Sequence, residues 1–275
     1  MLTPSRALAQ AASTNPLPTV FPALERADIN LMRGEASMIA GQPNSGKTMF
    51  ALALSRAYAA AGERVLYFSA DSNESTVTTR LAAALTGHRA ADVRNALYSG
   101  GLAYYQDVLS DLDIRFDFNS NPTLDDIDLT MAAYEELLGA YPTVMIWDNL
   151  MNIEGVSEGG DSEKHGLIQI QKVAKYICRK TNVALLVLHH CSEAEGKPHL
   201  PPPRKMIQQK VNELPEVQLT VAYNPDTSEF GVAAVKNRHG RADPAAKAPV
   251  WLYADMDSGR FFDSRYDAII GGVAV

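Results

Sequence analysis

Met38-Ile39-Ala40-Gly41-Gln42-Pro43-Asn44-Ser45-Gly46-Lys47-Thr48 is the stretch that decides the fold. A short apolar run enters a Gly-x-x-x-x-Gly-Lys-Thr octet, and Thr48 to Ala61 then carries the apolar spacing of a helix. Strand, glycine-rich turn and helix in that order make a cradle for phosphate. The glycines let backbone N–H groups curl around phosphate oxygens, and the helix adds its positive N-terminal end. Gly41, Gln42, Pro43, Asn44, Ser45 and Gly46 are the expected cradle. Lys47 is expected to reach the β- and γ-phosphates, and the Thr48 hydroxyl to ligate Mg²⁺.

Outward from this octet, short apolar runs alternate with amphipathic stretches. Val65 to Phe68, Ile114 to Phe118, Val144 to Trp147 and Val183 to Leu188 read as buried parallel strands. Ser75–Leu85, Leu124–Leu138 and Glu163–Lys180 read as helices. Thr123 is the expected N-cap of the second of these, with Asp126 closing an acidic capping box. Such alternation predicts an α/β fold, a mostly parallel twisted sheet with helices on both faces. After Leu214 the pattern changes, and Val217–Tyr223 and Phe230–Val235 around Asn224-Pro225-Asp226-Thr227 predict an added antiparallel hairpin. Residues 1–22, rich in Ala, Ser, Thr and Pro, read as an arm, and 23–275 as one motor-sized domain.

Three further residues fall where ligands of such sheets bind, at the carboxyl ends of strands. Asp148 ends Val144-Met145-Ile146-Trp147 and is expected to hold Mg²⁺ through water. Asp71 follows Leu66 to Ala70 and is the candidate for orienting the attacking water, ahead of Glu74, which suits the first turn of the next helix. His190, second of the pair closing the fifth strand, is placed to touch the γ-phosphate; a metal role for the pair has no third ligand at suitable spacing.

The net charge of −7 excludes a broadly basic nucleic-acid coat. Residues 111–139 hold eight carboxylates against Arg115 alone, which accounts for all of it. Contact with DNA therefore has to be local, in a groove or pore. No apolar run exceeds six residues, which rules out a membrane helix, and the N-terminus lacks the apolar core of a secretory signal, so a cytoplasmic location is expected. Cys178 and Cys191 form no metal or disulfide pattern and read as buried thiols.

With these residues placed, the sequence resembles the ring-forming RecA-like P-loop ATPases, namely DnaB-type replicative helicases of superfamily 4 and their relative RadA. The resemblance rests on Met38 to Gly41 entering the loop, Phe68-Ser69-Ala70-Asp71 with Glu74 and Arg80-Leu81, Ile146 to Leu150, and Lys236-Asn237-Arg238-His239-Gly240. It implies that Lys236 and Arg238 reach a neighbouring subunit's γ-phosphate; two cations at i and i+2 on a strand share one face. It also implies two channel loops, Glu154–His165 and Ser192 to about Lys210. The second carries Lys197, Arg204, Lys205 and Lys210 as DNA contacts, stiffened by Pro201-Pro202-Pro203. Three departures stand out: Asp71 where the family has Glu, His190 where DnaB-type chains have Gln, and His239 where RadA has Phe.

The expected activity is Mg-ATP hydrolysis at subunit interfaces of a homo-oligomer, most simply a hexameric ring, driving movement on single-stranded or forked DNA in replication. A separate loader or primase is the implied partner, and residues 3–14 are the implied subunit-docking helix. The alternatives are a RadA-like branch-migration motor, a Mg-dependent structure-specific nuclease built on the acidic segment, and a regulatory ATPase without DNA.

Overall fold

The computed structural model describes residues 3–11, 15–154, 160–192, 199–208 and 215–272. In chain order the elements are α1 (Pro4–Ala11), α2 (Pro22–Glu25), β1 (Ala36–Gly41), α3 (Lys47–Ala60), β2 (Val65–Ser69), α4 (Glu74–Thr86), α5 (Ala90–Tyr98), α6 (Leu102–Ser110) and β3 (Ile114–Asp117). They continue with α7 (Leu124–Leu138), β4 (Val144–Asp148), α8 (Gly160–Thr181), β5 (Ala184–His190), β6 (Val217–Asn224), β7 (Glu229–Asn237), β8 (Val250–Asp255), β9 (Arg260–Phe262) and α9 (Arg265–Ile270). The strands form one sheet in the order β3-β2-β4-β5-β1-β6-β7-β8-β9. The first six are parallel; β7, β8 and β9 add antiparallel.

Period-two alternation along each central strand splits the core in two. Ile39, Tyr67, Ile146 and Leu186 face α3 and α4. Met38, Phe68, Trp147 and Val187 face α7 and α8; Leu167, Ile170, Ala174 and Ile177 of α8 are buried at helical spacing. Phe50, fully buried on α3, meets Phe21, Phe230 and Phe261 at ring distances of 5.9, 4.9 and 5.4 Å, which locks the antiparallel extension to the parallel half.

The acidic stretch has local structural uses. Thr123 Oγ1 accepts the Asp126 N–H at 3.0 Å, and an Asp126 carboxylate oxygen accepts the Thr123 N–H at 2.9 Å, so the capping box closes in both directions. Asp117 accepts from Thr130 Oγ1 at 2.9 Å. Among the described residues no three His, Cys, Asp or Glu side chains gather as a metal site, and no helix is long and apolar enough to cross a membrane.

The structure departs from the sequence reading at several places. Leu17 and Phe21 are buried in the first core layer, so packing begins inside the stretch read as an arm. The two helices α5 and α6 and the two strands β8 and β9 had no sequence expectation. Pro201 and Pro202, expected as stiffeners of a channel loop, are buried, and Gly231 of β7 lets Pro201 approach. Both cysteines are buried, and burial pushes each thiol up to about 12.

Candidate active site

Strands β2, β4, β5 and β1 are consecutive neighbours in the sheet. Their carboxyl ends bring Asp71, Asp148, His190 and the glycine-rich loop to one edge, around a cleft of about 380 Å³. That is the size of an ordinary ligand site. Gly46 caps α3 at φ +84°, a conformation costly for other residues, and a Cβ there would stand 2.9 Å from Met256 Cε. At Gly41 a Cβ would overlap the Ser45 hydroxyl and stand 2.9 Å from the Val221 carbonyl. Lys47 Nζ donates to the carbonyls of Gly41 at 3.1 Å and Gln42 at 2.9 Å. Burial lowers the Lys47 pKa, while Asp148 and Asp71 favour its charge. The Ser45 hydroxyl is buried without a hydrogen-bond partner among the described residues, which leaves a spare donor in the cradle.

Asp148 is 2% exposed, and burial raises its carboxyl above the ordinary range. Hydrogen bonds from Tyr67 and Thr48 pull in the other direction. The Tyr67 hydroxyl donates to Asp148 Oδ2 at 2.8 Å from the neighbouring strand, where Ser69 pairs with Asp148. Tyr67 is thus a diagonal cross-strand neighbour, within reach of a long side chain. Thr48 and Asp148 together offer hard oxygen donors suited to Mg²⁺, with Lys47 beside them for phosphate.

The peptide after Asp148 is cis, and the Asn149 side-chain carbonyl oxygen accepts the Met151 N–H at 2.8 Å. That fixes its amide nitrogen to donate to His190 Nε2, 3.3 Å away. His190 is therefore held with Nε2 as acceptor, and burial together with the Lys47 charge lowers its pKa, so it is neutral near pH 7. His189, fully buried on the same strand, donates Nε2–H to the Gln208 carbonyl at 3.2 Å, and its pKa falls to about 4. Asp71 lies two residues past β2 with its N–H donated to the Asp148 carbonyl at 3.2 Å, and lines the cleft. Glu74 sits in the first turn of α4 behind the Asn73 cap. Arg80, Asn149 and Met256 line the same cleft; no sequence pattern assigned them a role.

Lys236 and Arg238 lie at the opposite edge. Val217 pairs with both Ser37 and Asn237, so Arg238 stands level with the amino end of β1. The glycine-rich loop leaves at Gly41, roughly 13 Å further along the strand at its usual rise per residue. The two residues between and beyond these cations anchor the segment. Asn237 Nδ2 donates to the Asp28 carbonyl at 2.8 Å, and His239 Nε2 meets Glu35 Oε2 at 2.6 Å. Arg238 pairs with Glu216, Nε to Oε2, at 2.8 Å. Of the cations assigned to DNA, Lys197 and Lys210 lie outside the described residues, as does 155–159 of the first channel loop. Lys205 is exposed; Arg204 is half-buried within Coulombic range of Lys236.

The model of the AAA_25 family, an AAA domain, matches residues 3–196, more than half of the chain. The chain belongs to this AAA domain family. Two phage proteins of the same length class are similar along most of the sequence. The Gene 65 protein of Mycobacterium phage L5 is 30% identical over 255 residues, spanning 90% of this chain and 93% of the relative. That of Mycobacterium phage D29 is 30% identical over 217 residues, spanning 76% and 90%. Among solved structures, an ATPase domain determined on its own superposes with a TM-score of 0.81 at 16% identity, covering 96% of this chain and 99% of the other. A DnaB-like replicative helicase, studied with its interactions with primase, gives 0.78 at 18%, covering 95% and 67%. This AAA domain chain therefore has the fold of the DnaB-type RecA-like motor core, as the sequence resemblance implied, and is built as an ATPase.

Proposed function

We propose that this chain is a replicative-helicase-type motor that hydrolyses Mg-ATP between subunits of a ring and moves on single-stranded DNA. One observation carries the reading: the cation pair stands on the sheet edge away from the chain's own cleft. Cations there serve a triphosphate only if it belongs to another copy, so the site is split across a head-to-tail interface, the kind that closes into rings. A hexamer is the simplest closure for this motor type.

In this reading the loop N–H groups and Lys47 hold the β- and γ-phosphates, with Lys47 leaving the carbonyls it now contacts. Thr48 and Asp148 would hold Mg²⁺, which would supply neutralisation of phosphate charge. Asp71 orients the water, one methylene shorter than the family's Glu, so its carboxylate reaches less far toward it. His190, held by Asn149 at the cleft, is placed to touch the γ-phosphate and report its loss. Lys236 and Arg238 stabilise charge on the neighbour's transferred phosphoryl group. Lys205, with Lys197, Lys210 and Arg204, supplies phosphate contacts to DNA. A few cations per subunit repeated around a ring suffice for an acidic chain. The name of the primase-associated neighbour makes a primase or loader the partner to test.

The reading is tested by measuring ATPase rate with and without single-stranded DNA, alongside mass by light scattering with nucleotide bound. Stimulation by DNA and a mass of several subunits are expected. A monomer that hydrolyses ATP at the same rate with and without DNA contradicts it. Labelled forked DNA with Mg²⁺ but no ATP is expected to stay intact; shortened strands would favour the nuclease.

A further inference from the structure

Glu216 stands immediately before β6 and is pinned by its backbone on two sides. Its N–H donates to the Ala36 carbonyl at 2.9 Å, and its carbonyl accepts the Arg238 N–H at 3.2 Å. It is therefore fixed at the seam between the amino end of β1 and the end of β7. The carboxylate is shared by two cations: Oε1 takes Lys175 Nζ of α8 at 2.5 Å, and Oε2 faces Arg238 Nε at 2.8 Å. The Arg238 contact is an ion pair without the alignment of a hydrogen bond. The two partners differ in exposure: 8% for the Glu216 side chain against 56% for that of Arg238. The anchor is inside the protein and the held group is in solvent.

Lys175 alone balances the charge of Glu216, so the buried carboxylate has a partner without Arg238. What the second contact does is fix where the guanidinium stands. Arginine presents five donors in a rigid fork. Here the nitrogen nearest Glu216 is Nε, and the side chain is more than half exposed, so the fork keeps donors to offer a phosphate. Lys175 and Arg238 both sit on this carboxylate, and Lys236 lies within Coulombic range of it and of both cations.

We propose that Glu216 is the positioning residue of the intersubunit site: it holds Arg238, with Lys175 as its second partner, in the place from which Arg238 meets a neighbouring copy's phosphates. This rests on the reading that Arg238 acts across the interface. Glu216 touches no nucleotide of its own subunit, so its loss damages the adjacent cleft and spares its own.

The test is Glu216→Gln, which keeps size and removes charge. The kcat for ATP is expected to fall by about tenfold or more, while KM and binding of a fluorescent ATP analogue stay within about twofold. Mixed with Lys47→Ala subunits, whose Arg238 is intact, Glu216→Gln should regain activity, because its own phosphate loop is sound. A merely structural role would lower stability or assembly without such recovery. Glu216→Asp retains the charge but withdraws it by one methylene. It should lose kcat by several-fold with the same recovery, and it carries the test if the Gln variant does not assemble. Wild-type kcat in either assembled variant, or a loss that mixing does not relieve, overturns the proposal. Mixing Arg238→Ala with Lys47→Ala tests the underlying reading separately. If that pair recovers and the Glu216 variants with Lys47→Ala do not, only the assignment of Glu216 fails.

Discussion

Tyr67 shows how much of the site depends on single contacts between strands. Its hydroxyl is the donor that keeps one oxygen of the buried Asp148 satisfied. Tyr67→Phe removes that donor and leaves the oxygen short of a partner, at a cost of about 1–3 kcal/mol. It also takes away a hydrogen bond that favours the ionised carboxylate, so the Asp148 pKa, already raised by burial, rises further. Protonation of Asp148 then begins at higher pH, and Mg²⁺ has to compete with that proton. The Mg²⁺ concentration for half-maximal ATPase should increase in the variant, with the widest gap from wild type on the acid side, near pH 6. Superimposable Mg²⁺ curves at pH 6 and pH 8 would show that Tyr67 has no such part. Nothing in the sequence singles out Tyr67, because it reads as one more apolar strand residue. Its contact with Asp148 exists only through the register of β2 on β4. Glu216 was hidden for the same reason, since its partners come from α8 and the end of β7. Lys47, Thr48 and Asp148 were visible because the octet and the end of an apolar strand carry their own local signals.

At the scale of elements, local chemistry explains what was legible. Helix α7 begins and ends at the residues its cap and periodicity predict, because Thr123, Asp126 and Gly139 fix it without help from the rest of the fold. Thr123→Ala should therefore cost about 1 kcal/mol of stability. ATPase should be unchanged, since α7 packs on the face of the sheet away from α3. A urea midpoint lowered at constant rate per folded subunit is the expected result; a lost rate would tie α7 to the cleft. Helices α5 and α6 were illegible because Tyr98, Leu102 and Tyr104 are exposed on them while Val93 and Tyr105 are buried, which blurs the apolar stripe. The short outer strands β8 and β9 gain their place from pairing with β7, not from their own pattern. In Lys236-Asn237-Arg238-His239-Gly240 the resemblance named the cations but gave no account of His239. The structure shows that Asn237 and His239 fasten the segment to Asp28 and Glu35, so His239 serves here as an anchor.

For the whole molecule, one sheet presents two edges of different character. The edge built from β2, β4, β5 and β1 gathers the glycine-rich loop, two carboxylates and a neutral histidine; the other edge gathers Lys175, Lys236 and Arg238 around Glu216. A chain built this way has a socket at one end and a cationic tip at the other, and under the proposed reading copies stacked head to tail would complete each other. The sequence alone could suggest this only through resemblance, because the separation of the two edges is a property of strand order and direction. The most direct test mixes Lys47→Ala, which lacks a working socket, with Arg238→Ala, which lacks the tip. Each alone should be inactive in ATP hydrolysis. Random equal mixing in a ring of confirmed mass should restore about a quarter of the sites, those pairing an intact socket with an intact tip. Recovery toward a quarter of the wild-type rate is the prediction. A verified mixed ring that stays inactive, or Arg238→Ala that hydrolyses ATP at the wild-type rate alone, would contradict the account.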